Sequence, residues 1–161
     1  MSDLTLYHNG PSTCSQKVRL ILELKNLSYN SKDVNLLAGE QHDPEYVKLN
    51  PNHVVPTLVT KDNVLIESNL IVEYLDDAYP EIPARPSAPE AIHKVRLWMK
   101  QIDAFQQYTG PITYGIAVRK LQINKSDEEK ETDLQNIPDP VKRQARNCLL
   151  YTSDAADEMR R

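Results

Sequence analysis

Asn50-Pro51-Asn52-His53-Val54-Val55-Pro56-Thr57-Leu58-Val59 sets out a turn, then a proline, then three residues suited to a buried strand. Asn-Pro-Asn is turn chemistry, and Pro56 can open a strand but not sit inside one, because it has no N–H for the ladder. The Val55–Pro56 bond is a candidate for the cis isomer, which ~5–6% of X-Pro bonds adopt in folded proteins. A proline there leaves the backbone N–H and C=O of Val55 available to an extended peptide. Taken alone, the stretch also reads as an ordinary loop entering a strand.

Working outward, Lys61-Asp62-Asn63 is a turn, and Val64-Leu65-Ile66 pairs back on Thr57-Leu58-Val59 as a hairpin. Ser68 is expected to cap a helix whose buried face is Leu70, Ile71, Tyr74 and Leu75, ending before Pro80. Upstream, Asp43-Pro44-Glu45 starts a short helix, with Asp as cap and Pro in the first turn. Tyr29 to Leu36 can form a strand. Leu4-Thr5-Leu6-Tyr7 alternates as another, and a helix after Asn9-Gly10-Pro11 carries Val18, Leu20, Ile21, Leu22 and Leu24, with Lys17, Arg19, Glu23 and Lys25 as polar positions. The order is βαβαββα. A helix between the first two strands implies a parallel crossover and the closing hairpin is antiparallel, so the expectation is a mixed four-stranded sheet with helices against it.

Pro80, Pro83, Pro86 and Pro89 mark a linker. Beyond it only helical patterning appears: Ile92, Val95, Trp98, Met99, Ile102 and Phe105, a stop or kink at Gly110-Pro111, a second stretch from Ile112 to Ile123, a capping box at Ser126-Asp127-Glu128-Glu129, and a start at Pro138-Asp139-Pro140. The expected partition is 1–80 for the α/β domain, 81–90 for the linker, and 91–147 for an incomplete all-α domain. Residues 148–161 stand apart. Cys148-Leu149-Leu150-Tyr151-Thr152-Ser153-Asp154-Ala155-Ala156-Asp157-Glu158 resembles the translation of a transposon-end sequencing adapter, so native sequence is expected to stop near Asn147.

The 161 residues are 40% apolar and 26% charged, with a net charge of −4. A real core is affordable, and without a basic cluster neither nucleic acid nor an anionic membrane is an expected partner. No apolar run reaches the ~18 residues that span a bilayer. No secretory signal is visible, and two cysteines, Cys14 and Cys148, make no disulfide framework. The expectation is a soluble protein of a reducing compartment, the cytoplasm.

Two further stretches carry chemistry. In Gly10-Pro11-Ser12-Thr13-Cys14-Ser15-Gln16-Lys17-Val18-Arg19, a strand passes into a helix whose N–H groups and dipole receive an anion, and a hydroxyl there can donate to a bound thiolate. The plain alternative is an N-cap of small polar residues. In Ile66-Glu67-Ser68-Asn69, a carboxylate and a hydroxyl at a helix start can hold an α-amino group and a carboxylate, or simply cap the helix.

These motifs in this order, with Ile71-Val72-Glu73-Tyr74-Leu75 after the last, resemble the thioredoxin-like domain of glutathione S-transferases over residues 4 to 80. Arg96-Leu97-Trp98 to Asp103 and Ile137-Pro138-Asp139-Pro140 to Arg143 look like bacterial transferases related to lignin β-etherases. The resemblance implies glutathione as co-substrate, a small electrophile as partner, no metal, and a homodimer. It places Ser12 at the catalytic serine of theta- and zeta-like members. Ser15 is the second candidate, nearer to the active serine of the etherase-like relatives, and Cys14 the third, as in transferases that reduce thiols. A dithiol mechanism is excluded because no second cysteine lies three residues on. Val55, next to a cis Pro56, would pair with the cysteinyl backbone. Glu67 and Ser68 would hold the γ-glutamyl end, and Gln41 and His53 fall near the glycyl carboxylate. Gln41 departs from the His or Lys often found there. Tyr7, Tyr108 and Tyr114 either line the electrophile site or belong to the core. The family's later Ser/Thr-x-x-Asp capping box is missing from this sequence. Two rivals are weighed: a glutathione-dependent oxidoreductase using Cys14, and a non-enzymatic interaction module.

Overall fold

The computed structural model describes residues 3–151. Alternation along the first strand, β1 (Thr5–His8), sends Leu6 to one face of a sheet and Tyr7 to the other. Helix α1 (Thr13–Leu24) leads to β2 (Asn30–Asp33), a 3-10 turn at Glu40–His42, α2 (Pro44–Leu49), the hairpin β3 (Thr57–Val59) and β4 (Val64–Leu65), and α3 (Ser68–Ala78). The sheet order is β2-β1-β3-β4, with β1 and β2 parallel and both remaining pairs antiparallel. The βαβαββα order and the mixed four-stranded sheet are therefore as the sequence patterning predicts.

Leu6, Val18, Leu22, Leu58, Ile71 and Leu75 are fully buried together, so α1 and α3 cover one face. Each such side chain contributes about 1.5–3 kcal/mol by leaving water. Tyr46 of α2 packs with Val34, Val55 and Tyr7 on the other face, its ring 5.8 Å from that of Tyr7. Tyr7 is thus a partly buried packing residue.

Several local expectations need correction. The second strand is four residues rather than the stretch from Tyr29 to Leu36, because pairing with β1 runs only from Asn30 to Asp33. Asp43 gives α2 no side-chain cap. The N-cap of α3 is Glu67, not Ser68. Leu70 is exposed, and its place on the buried face is taken by Ser68 and Asp76. Lys25, a solvent position by patterning, is also buried. Its side chain is 1% exposed, and its ammonium lies 2.7 Å from Asp76 Oδ1 and donates to Tyr79 O at 2.9 Å and Ile82 O at 2.6 Å. Asp76 also accepts from Ala84 N–H at 2.7 Å. This knot ties the end of α1 to α3 and to the proline-rich segment after it.

The chain divides into two compact units, Met1–Gln101 and Ile102–Arg161, with the division inside α4 (Pro89–Thr113). Gly110-Pro111 does not stop α4, which continues to Thr113 before a π turn at Tyr114–Val118 and the short α5 (Arg119–Gln122). Trp98, Ile102 and Phe105 keep helical spacing but are exposed. In the second unit α6 (Asp127–Gln135) carries the expected capping box: Ser126 Oγ accepts from Glu129 N–H, and Glu129 accepts from Ser126 N–H. Helix α7 (Pro140–Tyr151) brings Leu150 against Leu134 and Tyr114, and the Arg146 guanidinium lies 3.4 Å from the Tyr114 ring centroid. Tyr114 is therefore core, and Tyr108 is exposed. The adapter-like stretch is helical from Cys148 to Tyr151. Its remainder lies outside the described residues.

Candidate functional site

The antiparallel register pairs Tyr7 with Thr57. The residues that follow Tyr7 toward Ser12 and those that precede Thr57, Val55 and Pro56, therefore lie at the same end of the sheet.

At this end Ser12 is the N-cap of α1, with its Oγ accepting from Ser15 N–H at 3.2 Å. A capping hydroxyl spends an acceptor lone pair and keeps its proton. Among the described residues that proton has no acceptor, and Ser12 is half-buried, open to a ligand. Ser15 differs. It is fully buried, and its Oγ accepts from Asn9 N–H at 3.4 Å, so it braces the loop from within. Cys14 is a free, partly exposed thiol in the first turn.

The bend before β3 rests on a buried polar knot that the sequence reading saw only as a turn. Tyr46 Oη donates to Val54 O at 2.6 Å and lies 3.0 Å from Thr57 Oγ1. Asn50 Nδ2 donates to the same two atoms at 2.9 and 3.0 Å. Burial pushes the Tyr46 phenol above its ordinary range, only partly offset by its hydrogen bonds with Thr57 and Asn50, so it stays a neutral donor. Both flanks of the Val55–Pro56 bond are held this way, and that bond is cis. The Val55 backbone makes no hydrogen bond among the described residues. Tyr46 carried no motif signal and Asn50 read only as turn chemistry, since their roles here exist only once α2 and β3 are adjacent.

At the start of α3, Glu67 has φ 67° and ψ 106° and gives no side-chain cap. A non-glycine residue at positive φ costs of order 1–3 kcal/mol and clusters at ligand sites. Its exposed carboxylate takes a 3.4 Å contact from Asn52 Nδ2, while Ser68 is buried. Asn69 accepts from Lys17 Nζ at 2.7 Å and donates to Met99 O at 3.2 Å, linking α3 to α1 and α4. Further along the rim, Gln41 Nε2 lies 3.0 Å from His42 Nε2, and His42 Nδ1 lies 2.8 Å from His53 Nδ1. Gln41 Oε1 is buried and has no hydrogen-bond partner among the described residues. His42 was missed by the sequence reading. Among the described residues no group of three His, Cys, Asp or Glu side chains is placed to hold a metal, and no helix is long and apolar enough to cross a membrane.

Residues 2–77 match the family model described as glutathione S-transferase, N-terminal domain. Glutathione S-transferase Z2 of Arabidopsis thaliana is 48% identical over 84 residues, 52% of this chain and 38% of that protein. Protein LigF of Sphingobium is 33% identical over 152 residues, 89% of this chain and 59% of LigF. The crystal structure of the β-etherase LigF superposes with a TM-score of 0.85 at 30% identity, covering 98% of this chain and 68% of that one. A glutathione transferase of Phanerochaete chrysosporium, solved with oxidized glutathione, gives a TM-score of 0.63 at 26% identity, covering 84% of this chain and 63% of that one. The chain thus spans 38% to 59% of the length of the two curated relatives named. The match of the sheet domain to the family model, together with the LigF structure, 30% identical and covered over 68% of its length, shows that the chain belongs to the glutathione S-transferase family.

Proposed function

We propose that this chain is the glutathione-activating part of a glutathione transferase. The observation that carries the reading is the Ser12 hydroxyl, which caps α1 as an acceptor and keeps a proton with no acceptor among the described residues, at the same end of the sheet as the Val55–Pro56 bend. The backbone N–H and C=O of Val55 pair with the cysteinyl unit of glutathione, which lays the sulfur against Ser12. The uncapped first turn of α3, with Glu67 and Ser68, takes the γ-glutamyl end. His53, backed by His42, and Gln41 take the glycyl carboxylate.

The chemistry asks for a thiolate. Lowering a thiol pKa by ~2 units takes about 2.7 kcal/mol of preferential stabilisation of the anion. A hydrogen bond to a charged group contributes ~1.5–3 kcal/mol and a helix N-terminus ~0.3–1 kcal/mol, so Ser12 and α1 suffice together. The thiol proton leaves to solvent. The sulfur lone pair then forms the S–C bond as the acceptor's leaving group departs with its electron pair, or as a double bond accepts the charge. The likeness to the β-etherase LigF favours a β-aryl ether as acceptor; halide, maleyl double bond and peroxide are the competing classes. Residues 1–80 form the glutathione domain in this reading, 81–90 the linker, and 91–147 part of a helical domain. The full-length protein is a cytoplasmic homodimer.

Titrating bound glutathione by its thiolate absorbance tests the reading. The sulfur should ionise ~2 units below free glutathione, and Ser12→Ala should return at least half of that shift. A bound thiol that ionises like the free tripeptide refutes it. The partly exposed thiol of Cys14, two residues from Ser12, favours a second reading, glutathione-dependent thiol reduction through a mixed disulfide. Cys14→Ser should abolish disulfide reductase activity on that reading and leave conjugation intact on the first. Retention on immobilised glutathione with no turnover of any acceptor class would instead favour an interaction module.

A further inference from the structure

Arg19 is the residue of α1 whose side chain does most to hold the loop leading to Ser12. Its NH1 donates to Asn9 O at 3.1 Å and its NH2 to Gly10 O at 2.9 Å. Asn9 O also accepts from Ser12 N–H at 3.2 Å, so both lone pairs of that carbonyl are used, one by the loop and one by the guanidinium. Asn9 Nδ2 donates to Val34 O at 3.0 Å, and Asn9 N–H reaches Ser15 Oγ. The position of Ser12 thus depends on Asn9, a residue held by four hydrogen bonds, two of them to its carbonyl, of which Arg19 supplies the charged one.

Arg19 is itself held. NH1 lies 3.1 Å from His8 Nδ1, and His8 Nε2 lies 2.7 Å from Ser31 Oγ. A guanidinium can only donate, so Nδ1 must be the unprotonated nitrogen and Nε2 must carry the hydrogen, donated to Ser31. That arrangement exists only for a neutral His8. A second proton would set N–H against N–H.

We propose that Arg19 is the positioning residue for the Ser12 hydroxyl, and that neutral His8 keeps Arg19 in place, so that ionisation of the glutathione sulfur is tied to the protonation state of a histidine that does not touch it. Charged or titratable groups face His8 from two elements, Arg19 on α1 and Asp33 across the β1–β2 pair. Burial first, then Arg19, lower the His8 pKa below its ordinary 6.5, against an opposing pull from Asp33. The device is therefore intact at neutral pH and is released on acidification.

The inference rests on Ser12 acting on the sulfur, and the experiment separates the two. The pKa of bound glutathione's thiol and the affinity for S-methylglutathione, which has no thiol, are measured on the full chain and its variants. Arg19→Met should raise the thiol pKa by about 1 unit, a ten-fold loss of thiolate, with affinity for S-methylglutathione held within about three-fold. Arg19→Lys cannot span three acceptors and should recover less than half of the shift. His8→Asn, which restores an acceptor near the Nδ1 position, should stay close to wild type, and His8→Ala should not. An Arg19→Met thiol that titrates as in the wild type overturns the proposal, as does a parallel loss of S-methylglutathione binding, which marks a merely structural role. Should Arg19→Met fail to fold, the His8 pair decides: equal thiol pKa values in the Asn and Ala variants overturn it. If Ser12→Ala leaves the thiol unchanged, the reading of Ser12 fails instead.

Discussion

Asp76→Asn is the substitution whose cost is most directly worked from the geometry. It leaves the ammonium of the Lys25 side chain, which is 1% exposed and 2.7 Å from the former carboxylate, with only neutral acceptors: the Tyr79 and Ile82 carbonyls and the new amide oxygen. Removing one partner of a buried ion pair costs about 3–5 kcal/mol, and the retained acceptors put this case at the lower end. At ~2–4 °C per kcal/mol for a chain of this size, the melting temperature should fall by about 6–12 °C. Lys25→Met should cost less, because Asp76 keeps the Ala84 N–H at 2.7 Å and Arg85 Nε at 3.4 Å. A Lys25→Met/Asp76→Leu double variant should be more stable than Asp76→Asn alone, since no unpaired charge remains buried. Circular dichroism melts at neutral pH, at low and at high salt, provide the assay, and added salt should change little for a pair shielded from solvent. An Asp76→Asn chain melting within about 2 °C of wild type would refute the reasoning. So would a double variant as unstable as the single one.

Acid should act through the same carboxylate. Burial raises the Asp76 pKa, but the hydrogen bonds from Lys25 and Ala84 and the charges of Lys25 and Arg85 outweigh it and hold the group below its ordinary 3.8. Its stabilisation is therefore present above pH 3.8 and is lost as pH falls through the folded-state value, which a melt series at decreasing pH reads directly. His8, also depressed, adds a decline that begins as pH drops below 6.5, and this decline should be absent in His8→Asn. Tyr46→Phe removes the 2.6 Å bond to Val54 O, which Asn50 still serves, so urea unfolding should show a loss of about 1–1.5 kcal/mol, with glutathione affinity weakened as well. Glu67→Gly relieves the residue at φ 67° and should raise stability by up to ~1 kcal/mol while weakening glutathione binding, with calorimetry reading both. Ser126→Ala should cost about 1 kcal/mol, through loss of the α6 capping box.

Periodicity and turn chemistry were enough to order the elements of the first eighty residues, because each strand and helix there carries its own local signal. Alternation marks β1, Asn50-Pro51-Asn52 and Pro56 frame β3, and Ser12 marks the start of α1. Candidate ligand groups were legible for the same reason: Ser12, Val55-Pro56 and Glu67-Ser68 lie at element ends, where backbone groups are left over. The order βαβαββα therefore follows from local stereochemistry, whereas the roles expected of the site residues came from the family resemblance of the motifs taken together. Tertiary structure decided which of those groups are accessible and what holds them. It buried Ser15 and left Ser12 partly open, although the two serines sit three residues apart in one motif. It drew Lys25, a polar position by its pattern, and Asp76 into a single buried knot. It joined Tyr46, Asn50 and Thr57 beneath the cis bend, and set Arg19 between His8 and the Asn9 and Gly10 carbonyls. No sequence pattern encodes these contacts, because each depends on a partner from a distant segment, and desolvation gives a polar side chain its partner only after packing has removed the water.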